Sequence, residues 1–176
     1  METMRFERIT EVEHPYFKEA MELYEISFPR HEQREPASQS EILGNPEYHF
    51  DVVFDEDVFV GEILYWNIGD ALYVEHFCVD LSMRNKHYGQ RILEALQEHI
   101  VILEIDPPVD EISRRRKGFY ERCGFKANPY PHIHPPYHKE NAGHSLVVMS
   151  SPRELTPEEY ETFRQGLNGT VMANAW

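Results

Sequence analysis

The chain has 176 residues, 41% apolar and 27% charged, with a formal net charge of −14 from 31 acidic and 17 basic side chains. That length suits one domain with a sizeable core, and the acidic balance argues against nucleic acid as a partner. No run of about 18 apolar residues occurs, so the sequence pattern offers no transmembrane helix. The charged N-terminus, Met1–Glu7, lacks an apolar signal core, and a cytoplasmic location is expected. The two cysteines, Cys78 and Cys123, sit inside apolar patterns and read as free buried thiols. The acidic excess serves solubility, and it would equally draw in a cationic substrate such as an amine.

Residues 4–9 alternate in polarity and predict a first strand. Phe17, Ala20, Met21, Tyr24 and Phe28 share one face of a helix over 14–28, which Pro29 ends. Arg30, His31, Glu32 and Arg34 follow in a polar connector, by default a solvated loop, although such connectors often cover a substrate site. Ser38–Leu43 reads as a short second helix stopped by Gly44-Asn45-Pro46. Tyr48–Phe54 and Val58–Trp66 read as strands of a hairpin turned at Asp55-Glu56-Asp57, and Ala71–Val79 as a third long strand. A helix over Gly89–His99 and a buried parallel strand, Val101–Ile105, come next. Asp110 is a plausible N-cap for a helix over 111–122, with Gly124 as its stop. Residues 125–140 read as irregular, Leu146–Met149 as a last strand, and Thr156-Pro157-Glu158-Glu159 as the start of a helix to about Gly166. This order gives an antiparallel front half and a crossover-connected back half of one mixed α/β sheet.

Residues 77–93 carry the strongest chemical signal. An apolar strand passes through a loop with Arg84, Lys86 and Gly89 directly into a helix. The unpaired amides and dipole of a helix start favour anions, and a pyrophosphate is the natural guest. Arg91 joins this basic cluster, and Arg114-Arg115-Arg116-Lys117 forms a second one, either a solvated helix face or a phosphate contact.

Two blocks in this region resemble the GNAT superfamily of acyl-CoA-dependent N-acetyltransferases. Arg84-Asn85-Lys86-His87-Tyr88-Gly89 stands where the family has Arg/Gln-x-x-Gly-x-Gly/Ala, with His87 replacing the first glycine. Phe119-Tyr120-Glu121-Arg122-Cys123-Gly124-Phe125 closely matches the family's second block. The resemblance implies a single GNAT-like α/β domain over 1–176, with a family core of about 4–150 and a C-terminal helical extension of about 152–176. Its mixed sheet would have six to seven strands, an antiparallel front half and helices on both faces.

The resemblance further implies that acetyl-CoA lies where the fourth and fifth strands splay. Backbone amides within Arg84, Asn85, Lys86, His87, Tyr88, Gly89 and Gln90 would hold the pyrophosphate. The pantetheine arm would pair with Phe77, Cys78 and Val79 like an added strand. Ser113 stands where the family often has an Asn that contacts the arm. A histidine at 87 carries a Cβ, so the loop is expected in an ordinary backbone region; its ring either adds a phosphate contact or faces solvent.

The implied reaction is transfer of acetyl from acetyl-CoA to a primary amine by direct attack, with a small-molecule or amino-acid-like acceptor. A protein N-acetyltransferase and a non-catalytic acyl-CoA sensor are the alternatives. Tyr120 matches the family tyrosine that donates a proton or hydrogen bond to the CoA sulfur; the alternative is a core tyrosine packed beneath the cleft. Strand alternation puts Glu75 and His76 on opposite faces, with Glu75 the first candidate for general base and His76 the second. Asn128–His138 is rich in Pro, Tyr and His. It reads as a stiff loop lining the acceptor pocket, a plain surface loop, or part of a metal site with His132, His134, His138 and His144; no metal is expected, because no ligand spacing is diagnostic. The C-terminal helix packs either on its own domain or on a second subunit, since dimers are common in the family.

Overall fold

The computed structural model describes residues 4–176. Seven strands form one sheet in the order β1-β2-β3-β4-β5-β9-β6. The strands are β1 (Met4–Arg8), β2 (Tyr48–Asp55), β3 (Val58–Ile68), β4 (Ala71–Val79), β5 (Ile100–Ile105), β6 (Lys126–Ala127) and β9 (Val147–Ser151). Pairing is antiparallel from β1 to β4 and again from β5 to β6, and only β4 and β5 run parallel. A small separate hairpin joins β7 (Ile133–His134) to β8 (His144–Ser145) within a histidine-rich segment that is otherwise irregular, as expected.

Two cores flank the sheet. On one face, α1 (Phe17–Ser27), α2 (Pro36–Ile42) and α5 (Pro157–Gly166) cover Phe50, Leu64, Trp66 and Tyr73. On the other, α3 (Tyr88–Glu94) and α4 (Glu111–Arg122) cover Val53, Ile63, Leu72 and Val74. The helix α5 starts with the expected capping box, Thr156 and Glu159, and buries Tyr160 and Phe163 in the first core. It therefore packs on its own domain.

Helix α3 is shorter than the periodicity predicts and ends at Glu94. Ala95 N–H is shared between carbonyls three and four residues back, and a run of turns follows. Within that run Gln97 donates to the Cys123 carbonyl (2.9 Å), which ties the end of α3 to the end of α4.

Two features of β4 position the site. Its pairing with β5 covers only Ala71–Tyr73 against Ile100–Ile102; from Val74 onward the two strands part. On its other side Leu64 pairs with His76 but Tyr65 pairs with Val74, so Glu75 is an extra, bulged residue. The bulge corrects the alternation expected from sequence. Glu75 and His76 both turn to the face covered by α1 and α2: Glu75 meets Trp66, and His76 packs against Tyr24 and Phe28.

Candidate active site

A cavity of about 540 Å³ opens where β4 and β5 part. Val74–Val79 form one wall, Leu103–Asp106 the other, and Arg84 and Tyr120 close the α3–α4 side. The opposite side is closed by His31, Glu32, His134, Tyr137 and His144. Of the residues singled out from sequence, Glu75, His76, Phe77, Cys78, Val79, Arg84 and Tyr120 line this space. Asn85–Gln90 lie beside it at the start of α3, and Ser113 does not line it.

The loop before α3 departs from expectation. Asn85 and His87 both adopt φ of 64°, the left-handed region, so His87 keeps the backbone shape that a glycine would have given. Asn and His are among the non-glycine residues that tolerate it best. The first bond back along α3 runs from Arg91 N–H to the His87 carbonyl (3.1 Å), which leaves the amides of Gly89 and Gln90 without an acceptor inside the helix. Gly89 is needed for close approach: a Cβ there would lie 3.1 Å from Phe119 Cζ. That contact brings the two motif blocks together. Ser113 is turned back on its own helix start, donating to Asp110 Oδ1 (2.8 Å) and accepting from Asp110 N–H (3.1 Å). It caps α4 instead of reaching the cleft.

Glu75 is the most heavily tied group in the cavity wall. Its carboxylate accepts from Trp66 Nε1–H (2.8 Å), the Tyr137 hydroxyl (2.7 Å) and Arg34 (2.8 Å). The Arg34 and Glu75 side chains are 0% and 1% exposed. Burial alone would raise the Glu75 pKa, but Arg34 and the other donors hold it down at about 2. Arg34 also bonds Ser38 and the Val171 carbonyl, so the pair locks the connector, α2 and the C-terminal segment to β4. Sequence reading placed Arg34 in a solvated connector; nothing local signals a partner 41 residues away.

His76 is built differently. Its Nε2–H donates to the Glu32 carbonyl (2.7 Å), which fixes the tautomer, and its Nδ1 is buried with no partner. Burial lowers its pKa below the ordinary imidazole value. Tyr120 is half-buried, its hydroxyl has no hydrogen-bond partner among the described residues, and burial pushes its pKa up to about 12. The Cys78 thiol contacts Glu62 Oε1 (3.6 Å), and burial raises its pKa far above the usual thiol range.

On the side of the β7–β8 hairpin, His132 donates Nε2–H to Glu104 (2.6 Å) and accepts from the Tyr160 hydroxyl (2.8 Å). Tyr73 also donates to Glu104. His138 clasps the connector from outside, donating Nε2–H to the Arg30 carbonyl (2.8 Å) and pairing through Nδ1 with Glu35 (2.5 Å). His132 and His138 are thereby committed to protein partners. Among the described residues, no three His, Cys, Asp or Glu side chains are arranged to hold a metal ion. Glu104, Asp106 and Tyr73 were not found from sequence, because each lies in or beside an apolar strand run and gains meaning only where β4 and β5 part.

The comparisons with known proteins agree with this geometry. Residues 46–127 match the family model described as an acetyltransferase (GNAT) domain. A solved structure from Bacteroides thetaiotaomicron, assigned to the GNAT family of acetyltransferases, is 34% identical with a TM-score of 0.88, and the match covers 96% of this chain and 98% of that one. The chain belongs to the GNAT family of acetyltransferases. The fold is shared more distantly with an aminoglycoside 6′-N-acetyltransferase complexed with coenzyme A (18% identity, TM-score 0.59, covering 84% of this chain and 96% of that one). It is also shared with an Arabidopsis thaliana protein in complex with the bisubstrate analogue CoA-Ac-MVNAL (14% identity, TM-score 0.58, covering 84% and 97%). No curated protein sequence matches the chain.

The residues present fit the acyl-CoA cosubstrate of this family. The unpaired edge of β4 beyond Tyr73 offers main-chain groups to an extended arm, and Arg84 stands at the end of the cavity toward α3. Among the described residues, no helix is long and apolar enough to cross a membrane.

Proposed function

We propose that this GNAT acetyltransferase moves the acetyl group of acetyl-CoA to a primary amine by direct attack, with His76 as the proton acceptor. The observation that carries this reading is the unpartnered, buried Nδ1 of His76 on the cavity wall, its tautomer set by the Glu32 carbonyl. The acetyl thioester supplies the activated carbonyl. The chain's own residues do the rest. The β4 edge at Phe77, Cys78 and Val79 orients the pantetheine arm, and the loop Arg84–Gln90 receives the pyrophosphate. A neutral imidazole in this place takes the amine proton, and burial keeps it neutral at pH 7. Tyr120, protonated at that pH, gives its proton to the departing sulfur.

Glu75 takes a positioning role. A carboxylate with a pKa of about 2 and three donors already bound is a poor base. It holds the bulge that presents His76. Cys78, kept as a neutral thiol by burial, takes no covalent part.

The test is a thiol-release assay with a panel of amines against His76→Gln. The variant is expected to lose about 10²–10⁴-fold in kcat. In the wild type, kcat/KM should hold below pH 6.5 and fall only as the lowered His76 pKa is crossed. Release that survives in His76→Gln with an unshifted acid limb would sink this assignment. CoA binding without release for any amine would favour the sensor alternative.

A further inference from the structure

We propose that the acceptor end of the cavity holds a second ammonium group, so that the acceptor is a diamine or polyamine. This rests on the amine-transfer reading above and extends it from the attacking amine to the rest of the acceptor.

The first observation is His134. Its Nδ1 lies 2.6 Å from the Pro135 carbonyl, and a carbonyl only accepts, so Nδ1 carries the proton. Its Nε2 is buried without a partner, the residue is 2% exposed, and the ring lines the cavity. A buried acceptor of this kind calls for a donor. Glu104 Oε1 sits 3.9 Å from Nε2, too far for a hydrogen bond, yet it adds negative charge near the lone pair.

The second observation is Glu32. Glu32 lines the same space, and its carboxylate makes no hydrogen bond or ion pair among the described residues. Burial, and then the neighbouring Asp106 charge, raise its pKa, so the two carboxylates are close enough to feel each other. Asp106 itself has only a long contact to Arg116 (3.5 Å). An ammonium carries three donors and no acceptor, and it matches an imidazole lone pair flanked by carboxylates.

The third observation concerns number. His76 and His134 both pack against the Tyr137 ring, with centroids 5.8 and 5.0 Å away. Each has one proton fixed by a backbone carbonyl and one lone pair left over. One lone pair serves the attacking amine, and the other remains for a second nitrogen of the same molecule. An amino acid fits less well, because its carboxylate would lie among Glu32, Glu104 and Asp106, with Arg116 as the cation at that end.

The experiment measures equilibrium binding to the full chain saturated with CoA, comparing α,ω-diaminoalkanes with n-alkylamines of the same carbon number. The best diamine should bind about tenfold tighter than its monoamine, the size of one charge-assisted contact. That ratio should collapse toward one in Glu32→Gln and in His134→Phe, and persist in the exposed control Glu22→Gln. Equal affinities in the wild type, a ratio unchanged in both site variants, or tighter binding of α-amino acids would overturn the proposal. Thiol release with the same panel is read separately. A diamine preference in binding with no release by any amine keeps the subsite and removes the transfer reading. Release without a diamine preference keeps transfer and removes the subsite.

Discussion

The two sides of the parted strands are built by opposite means. On the α3–α4 side, a single stretch from Asp80 to Gln90 supplies the loop, and one contact, Gly89 against Phe119, seats it. On the opposite side, where the acceptor is proposed to bind, Arg34, Trp66, Glu75 and Tyr137 come from four separate segments and meet in one buried network. A local loop tolerates exchange of its parts, as His87 in a glycine's backbone conformation shows. A network of buried charges does not, since removing one member strands the others.

Substitution at the buried ion pair should break the contrast most visibly. Arg34→Ala leaves Glu75 charged and unpaired, and chemical denaturation should report a loss of about 3–5 kcal/mol. The double variant Arg34→Met/Glu75→Gln should recover much of it, because no uncompensated charge remains. Because the Glu75 pKa is depressed, the pair's stabilisation is present above about pH 4.5 and fades as pH falls toward about 2. A denaturation midpoint that is flat across that window would contradict the assignment.

A smaller effect is expected from Tyr120→Phe, which removes a hydroxyl that has no partner in the fold. Stability should barely change, while kcat falls about 10²-fold; a large drop in melting temperature instead would make Tyr120 a packing residue. Smaller again is Gly89→Ala. The new Cβ meets Phe119, and the adjustment should cost about 1 kcal/mol, seen as a several-fold rise in the KM for acetyl-CoA. If the KM for the amine rises instead, the division between the two sides is wrong.

The mildest effect belongs to the His138–Glu35 clasp. Burial opposes the protonated ring, but Glu35 and the Arg30 carbonyl outweigh it and raise the His138 pKa. Its contribution is complete below pH 6.5 and is lost as pH rises through the raised value. Hydrogen exchange in residues 30–35 should quicken over that rise, after correction for intrinsic rates, and His138→Ala should remove the pH dependence.

The local side was legible in the sequence, because its signals are short. Arg84–Gly89 and Phe119–Phe125 each lie within seven residues, and the Asp110 and Thr156 caps were visible for the same reason. The expectation for His87 failed because residue type alone sets a preference for φ and not its value. The acceptor side was largely hidden. Glu75 and His76 were found, but their shared face was not, because the register shift depends on how β3 and β4 pair. The pairing of Arg34 with Glu75, and of His132 with Glu104, spans 41 and 28 residues and leaves no periodic trace.

The extra residue in β4 has a consequence for anyone who edits this enzyme. The strand reads in two phases, one before Glu75 and one after it. Pairing β4 evenly with β3 while keeping every residue would restore a uniform alternation, and the side chains downstream would exchange faces. Phe77 and Val79, which now pack toward α3 and α4, would trade places with His76 and Cys78. Loop grafts and chimeras that join two parents within β4 should therefore cut on one side of the bulge and carry it whole. A crossover that loses it would keep the sequence motif intact and still turn His76, the proposed proton acceptor, away from the cavity.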